Sequence, residues 1–379
     1  MTSNTINLLE NKFKHIDPVI SSILDAILDN REVSVDDAVE LLKTTGSEMM
    51  MLFLTADYIR EQLVGDNITF VVNRNINFTN KCRIGCKFCA FSREEPFRLS
   101  INEIVNRAIE AHEKGCTEVC IQGGINPEFK PDIYLKILKA IKDKIPDIHI
   151  HGFSPMEIYN YAVMNDLTIR EALLRLKQAG LDSIPGTAAE ILNDDIRKEI
   201  CPNKINVNTW KKIIISAHDL NIPTTSTMMY GHIDSIKNRA EHLGILRNIQ
   251  KKTKGFTEFV PLSFIHLNTP LFTSENSEVK GTTGVSDLKL YAVSRLFFKN
   301  LIKNIQVSWP KLGQKFAQFA MNVGVNDFGG TLYDENISKS AGANFGEYMP
   351  IEEFLRLIKD LNRTPAQRDT VYNILKIYK

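Results

Sequence analysis

Apolar and polar positions change period along the chain. Up to about residue 65 apolar residues recur at helical spacing: Ser34-Val35-Asp36-Asp37 opens one helix with a capping serine and an acidic first turn, and residues 47–63 form another. From residue 68 onward short apolar runs alternate with helix-period stretches. Strands are expected at 68–77, 117–124, 147–154, 182–186, 224–230, 256–264, 305–309 and 329–332. Between them lie a helix opened by the capping box Ser100-Ile101-Asn102-Glu103 and further helices at 132–144, 168–179, 209–220, 236–252, 285–299 and 316–323. Eight strands alternating with helices at this spacing predict an α/β chain folded as a (β/α)8 barrel of the TIM type. Residues 1–66 are then an N-terminal helical extension, 67–348 the barrel, and 349–379 C-terminal helices packed on it.

A barrel of this kind carries its chemistry at the carboxyl ends of the strands. Gly123-Gly124 closes the second strand, His149 and His151 lie in the third, Tyr230 and His232 end the fifth, and Glu258 lies in the sixth. The two histidines are two residues apart and share a face, and the lumen satisfies two imidazoles more readily than the helix-covered side does. They are candidate substrate contacts, since two ring nitrogens alone do not complete a metal shell.

The loop after the first strand reads Asn80-Lys81-Cys82-Arg83-Ile84-Gly85-Cys86-Lys87-Phe88-Cys89-Ala90-Phe91, a C-x3-C-x2-C spacing. A cubane iron–sulfur cluster has four irons, so three thiolates leave one iron open to a ligand that is not protein. A structural zinc loop wants a second ligand pair, and none follows. Lys81, Arg83 and Lys87 make poor company for buried thiols and good company for thiolates. Cys116, Cys120 and Cys201 stand at no ligand spacing: Cys120 reads as core and Cys201 as a loop residue.

Composition narrows the partners. The 379 residues carry a net charge of +1 with 24% charged residues and no basic block, which argues against nucleic acid and acidic membranes. Residues 1–20 lack the apolar core of a signal peptide, and the longest apolar run, 49–54, is far too short to span a bilayer. A cytoplasmic setting is expected, and reduced thiols fit it.

The cysteine loop resembles that of radical S-adenosylmethionine (SAM) enzymes, and further segments are similar to the 4-hydroxyphenyl-transferring subunit of deazaflavin (FO) synthases. These are Glu118-Val119-Cys120-Ile121-Gln122-Gly123-Gly124, His149 to Ile158 with Ser154-Pro155-Met156-Glu157 inside it, Pro185-Gly186-Thr187-Ala188-Ala189-Glu190, Ile200-Cys201-Pro202, Met229-Tyr230-Gly231-His232, Phe256 to Leu262, and Asn326-Asp327-Phe328-Gly329-Gly330. The similarity covers roughly residues 68 to 348. It implies a [4Fe-4S] cluster held by Cys82, Cys86 and Cys89 whose fourth iron chelates SAM, with Gly123, Gly124, Ser154, Glu190 and Arg197 on the cofactor side. Glu190 would accept from ribose hydroxyls and Arg197 would pair with the SAM carboxylate, or else with Asp194 or Asp195 at a helix end. Ile125 stands where the commoner radical SAM pattern has Glu after the two glycines. Tyr230, His232, Glu258 and Asp327 would face the substrates from the lumen, an ordinary buried polar network being the competing reading.

The implied reaction cleaves the Cα–Cβ bond of L-tyrosine and adds the 4-hydroxybenzyl fragment to 5-amino-6-(D-ribitylamino)uracil, with a low-potential electron donor and a partner radical SAM subunit that closes the deazaflavin ring. Sister enzymes of the futalosine route to menaquinone share the cysteine loop and the Tyr-Gly-His segment. A non-enzymatic iron–sulfur electron carrier is the alternative of another class.

Overall fold

A computed structural model describes residues 16–274 and 277–379, so the first fifteen positions of the expected N-terminal extension lie outside the described residues. The first barrel strand bends at Val72 into β1 (Asn67–Val71) and β2 (Asn73–Asn77). β2 pairs in parallel with β3 (Glu118–Gln122), and β3 with β4 (His149–Gly152). His151 bridges to Ser183 and Ile184 to Thr224, so a very short fourth strand links β4 to β5 (Thr224–Tyr230). β5 pairs with β6 (Phe256–Ser263), Phe259 bridges to Ile305, and Gln306 bridges to Asp327 in β7 (Asp327–Gly330). β7 returns to β1 and closes a ring of eight parallel strands.

The N-terminal helices are α1 (Pro18–Leu28), α2 (Val35–Lys43) and α3 (Gly46–Val64). Around the barrel run α4 (Ile101–Glu113), α5 (Ile133–Lys142), α6 (Pro155–Met164), α7 (Ile169–Gln178), α8 (Asp194–Ile200), α9 (Val207–Asp219), α10 (Ile236–Thr253), α11 (Gly284–Phe298) and α12 (Gln314–Ala320). Reciprocal capping boxes at Ser34, Ser100 and Thr168 fix the starts that the sequence marks, and a further box, Ser154 with Glu157, opens α6. Strand residues such as Val119, Ile121, Ile150 and Phe259 pack outward against helix residues such as Trp210, Leu243 and Leu290, all fully buried. α3 packs on α11, and α2 on both α10 and α11, so the N-terminal helices cover the flank of the barrel. Arg247 Nη1 donates to Val33 O, and Lys289 Nζ donates to Thr44 O at 3.1 Å, which ties the two layers together.

The C-terminal segment departs from the expected helices. One helix, α13 (Ile351–Asp360), is followed by β8 (Thr364–Arg368), which pairs in parallel with β1 from Asn67↔Thr364 to Val71↔Arg368, and by antiparallel β9 (Ile374–Ile377). The hairpin lies at the amino-terminal end of the strands and closes the barrel from below. A five-residue strand containing Pro365 has no alternating signature to announce it. No helix among the described residues is long and apolar enough to cross a membrane.

Candidate active site

The barrel mouth is built by the loops that leave the carboxyl ends of the strands. Residues 78–99 form the cysteine loop, whose neck is closed by Leu99 N donating to Phe78 O at 2.9 Å and by Asn80, which accepts from Phe97 N at 2.8 Å and donates to Glu95 O at 3.0 Å. Its tip is tied to three neighbours. Arg83 N donates to Ile125 O at 3.0 Å, Lys87 N to Ile200 O at 2.8 Å, and Asn203 Nδ2 to Ile84 O at 3.1 Å. Gly85 turns the loop with φ +69°, a conformation that favours glycine. Gly124 lets the end of β3 pass under the loop, because a Cβ there would stand 2.5 Å from Lys81 O and 2.9 Å from Cys82 Cβ. Ile125 N donates to Cys82 Sγ at 3.3 Å, a backbone hydrogen bond that suits a thiolate.

Cys82, Cys86 and Cys89 all line one cavity of about 230 Å³, together with Asn77, Gly123, Gly124, Ser154, Glu157, Glu190 and Lys204. A second cavity of about 260 Å³ adjoins it across Phe88, Cys89, Phe91, Gln122, Thr187 and Glu190, so the mouth holds two communicating lobes. Met229, Leu262, Phe264, Ser308, Lys311 and Glu335 line the second lobe. Among the described residues no three His, Cys, Asp or Glu side chains converge as they do around a single metal ion. Thiolates at separate corners of a four-iron cubane stand further apart than that, and a three-thiol loop at the rim of a cavity with an adjacent backbone donor fits such a cluster. Burial pushes the Cys86 thiol up to about 12, so ionising it requires a cation beside it, which cluster iron supplies.

The charges of the cysteine lobe include a buried ion pair between Lys204 Nζ and Glu190 Oε1, with Lys204 also over the Phe88 ring at 5.3 Å. Burial alone would raise the Glu190 pKa, but Lys204 and Arg197 outweigh it and hold the carboxyl below its usual range. Ala188 and Glu190 sit at φ +61° and +47°, left-handed positions held by residues other than glycine. Arg197 explains how: buried in α8, it donates from Nη1 to Ala188 O at 3.1 Å and Ala189 O at 2.6 Å, and from Nη2 to Ile205 O. It neither lines the cavity nor pairs with Asp194 or Asp195, so both expectations for Arg197 are corrected: it shapes the loop that presents Glu190. Lys204 is the cation at the cavity wall, and the sequence pattern missed it. Glu157 was missed as well. It accepts from Gly123 N at 2.9 Å and from Ser154 N and Oγ at 2.7 Å, coupling the end of β3 to the start of α6, and burial raises its carboxyl to about 7.

The expected lumen residues are distributed differently. Tyr230 points outward, its hydroxyl donating to Asp287 Oδ1 of α11 at 2.8 Å, while its neighbour Met229 faces the cavity. His232 braces the turn after β5, accepting from Ile233 N at 2.8 Å with its other ring nitrogen 3.1 Å from Met229 O, and does not line either lobe. Glu258 and Asp327 do face the lumen, but at the opposite end of the strands. There Arg368 donates to Asp327 Oδ2 at 2.6 Å and Oδ1 at 2.9 Å and reaches Glu258 at 3.4 Å, and Tyr372 donates to the same Glu258 oxygen. Strand level explains the displacement, since Glu258 and Asp327 lie at the starts of β6 and β7. His149 and His151 share a face, both meeting Ser183 Oγ at 2.7 Å deep in the lumen, below the two lobes. Cys120 also faces the lumen, between Glu118 and Gln122 on β3, rather than the outer core.

A three-cysteine loop at the mouth of a (β/α)8 barrel, beside a two-lobed cavity, defines the radical SAM class, and residues 76–245 match the radical SAM superfamily model while residues 253–379 match the CofH/MqnC C-terminal region. The cofactors of that class are a [4Fe-4S] cluster and SAM, and the chain is a radical SAM group-transfer enzyme. It is 51% identical over 344 residues to the 5-amino-6-(D-ribitylamino)uracil–L-tyrosine 4-hydroxyphenyl transferase of Methanothermobacter thermautotrophicus, covering 90% of this chain and 94% of that one. The protein of the same name from Methanocaldococcus jannaschii is 52% identical over 91% of this chain and 98% of its own. The chain belongs to the family of these 4-hydroxyphenyl transferases. Among solved structures, the fold is similar to methylornithine synthase (PylB), with a TM-score of 0.68 at 16% identity over 91% of this chain and 97% of that one. It is likewise similar to the hydrogenase maturase HydG of Carboxydothermus hydrogenoformans, with a TM-score of 0.71 at 18% identity over 98% and 86%.

Proposed function

We propose that the chain cleaves the Cα–Cβ bond of L-tyrosine and joins the 4-hydroxybenzyl fragment to carbon 5 of 5-amino-6-(D-ribitylamino)uracil. The observation that carries this reading is the identity of about half over nine-tenths of the chain with relatives named for that transfer. Cys82, Cys86 and Cys89 are assigned as the cluster ligands, and the cysteine lobe as the place of SAM. Bound there, a reduced cluster and SAM would supply one-electron chemistry that takes a hydrogen atom from tyrosine, with Cys82, Cys86 and Cys89 holding the cluster.

The chain's own residues do the positioning. Gly123 and Gly124 let the end of β3 pack against the Phe78 ring and under the cysteine loop, where a Cβ would stand 2.7 Å and 2.5 Å from its neighbours, and so bring this backbone to the wall of the cofactor lobe. Glu190, held in charge by Lys204 and in place by the Arg197-braced loop, offers acceptors for ribose hydroxyls. Gln122 and Thr187 are hydrogen-bonded to each other at 3.0 Å at the junction of the two lobes, where the reacting bond has to lie. Apolar walls at Leu262, Phe264 and Met229 exclude water from radical chemistry. A low-potential electron donor and a second radical SAM enzyme that closes the deazaflavin ring complete the scheme, in the cytoplasm where thiols stay reduced.

Anaerobic incubation with SAM, reductant, tyrosine and the aminouracil is the test. Mass spectrometry is expected to find 5′-deoxyadenosine and the hydroxybenzyl adduct together. The futalosine-route sister enzymes share the C-terminal family model, and 5′-deoxyadenosine formed only with a purine nucleoside derivative overturns the tyrosine assignment in their favour.

A further inference from the structure

Two lysines face the cavity, and they keep different company. Lys204 in the cysteine lobe is paired with Glu190. Lys311 in the second lobe follows Trp309-Pro310 beyond the seventh strand and has no ion-pair or hydrogen-bond partner among the described residues. Of the two acidic groups that line its lobe, Glu190 is paired with Lys204, and Glu335 is committed elsewhere: Oε2 accepts from Asn75 Nδ2 at 2.6 Å and Oε1 from Ser338 N at 2.8 Å. Leu262, Phe264, Ile265 and Leu332 give that lobe an apolar wall, beside the polar side chains of Gln122, Thr187 and Ser308. Burial lowers the Lys311 pKa, with Glu335 and Glu190 opposing it from a distance.

An ammonium group surrounded by apolar walls is costly unless an anion meets it. Of the two substrates assigned above, on which this inference rests, only tyrosine carries a carboxylate, and the carboxylate of SAM belongs with the open iron in the other lobe. We propose that Lys311 receives the α-carboxylate of tyrosine and so sets the enzyme's preference for an α-amino acid over the corresponding amine. Anchored there, tyrosine lies in the lobe that shares Gln122 and Thr187 with the cysteine lobe, and Leu262 and Phe264 offer its ring an apolar wall.

Equilibrium binding of tyrosine and of tyramine, which has the same ring and no carboxylate, to the anaerobic SAM-loaded protein tests this directly. Wild type is expected to bind tyrosine about ten- to a hundredfold more tightly than tyramine. Lys311→Met is expected to lose that margin on tyrosine, leave tyramine affinity unchanged and keep wild-type SAM affinity, while Lys311→Arg retains most of the preference. Equal affinity of wild type for tyrosine and tyramine overturns the proposal, whatever the variants do. A Lys311→Met protein that keeps the preference, or loses affinity for the aminouracil instead, also overturns it. Adduct formation by wild type is read separately, so its absence counts against the substrate assignment and not against Lys311 alone.

Discussion

At the floor of the barrel Arg368 holds both oxygens of Asp327 and reaches Glu258, and Glu258 also accepts from Tyr372 and, with its amide nitrogen turned inward, from Gln306 at 2.8 Å. At the mouth Asn77 Nδ2 is buried with no hydrogen-bond partner, Lys311 has no ion-pair partner among the described residues, and three thiols stand around a cavity. Both ends of one lumen are polar and buried, yet at the floor the carboxylates are met by the chain's own cation and donors, with Thr370 Oγ1 left without a partner, while at the mouth Lys311 and the three thiols are not so met. Buried polarity alone does not mark a binding site in such a fold; unmet hydrogen bonding and unmet charge do. The floor reads as the part that holds the barrel shut and the mouth as the part that waits for ligands, consistent with where barrels of this type place stability and chemistry.

The largest expected effect lies at the mouth. Alanine at Cys82, Cys86 or Cys89 removes one of three ligands, and each variant is expected to lose the brown cluster absorbance and all SAM cleavage, while Cys116→Ala keeps both. A Cys86→Ala protein with a SAM-responsive cluster breaks the assignment. At the floor, Arg368→Met leaves Asp327 and Glu258 buried without their cation, and chemical denaturation is expected to show a loss of about 3–5 kcal/mol. SAM affinity of the folded protein should change little. A stable Arg368→Met protein with impaired SAM binding reverses the roles given to the two ends.

Smaller effects sharpen the contrast. Lys204→Met removes the ion-pair partner of Glu190 in the cofactor lobe and leaves only the more distant Arg197 beside it, and the SAM dissociation constant is expected to rise roughly tenfold, about 1.4 kcal/mol. Deeper in the fold, burial lowers His151 to about 4 and His242 to about 3, the latter accepting from Leu192 N at 3.0 Å with its other nitrogen 3.0 Å from Thr227 O. These are bases with depressed folded-state values, so the unfolded chain takes up protons that the folded chain refuses. Stability is therefore complete above about pH 6.5 and falls as the pH drops through that value toward 4. His151→Asn is expected to flatten this acid limb in thermal melts of the cluster-free protein, and an unchanged slope removes His151 from the account.

The barrel was largely legible because its strands are punctuated by capping boxes and bounded by turns: all eight expected strands fall on segments that pair or bridge in the ring. The cysteine loop was legible because three thiols at that spacing have few other uses. Which way a strand residue points was not. Six of the seven residues of β5 are buried, as befits a parallel strand covered on both faces, so nothing in its pattern tells that Met229 enters the cavity and Tyr230 leaves it. Lys204 lies in an irregular turn after Pro202 and Lys311 in a single helical turn, Trp309–Leu312, and neither segment is long enough for a period to assign a face. Arg368 was hidden because its strand pairs with β1 across almost the whole chain, a contact that local pattern does not encode.

Isotope tracing through the mouth tests the central claim most directly. Turnover is run anaerobically with SAM, the aminouracil and tyrosine labelled either in the ring or at the α-carbon, and the adduct is weighed by mass spectrometry. Ring label is expected in the adduct and α-carbon label in the departing two-carbon fragment. An adduct that retains the α-carbon, or 5′-deoxyadenosine formed from SAM with no labelled adduct, contradicts Cα–Cβ cleavage in this cavity.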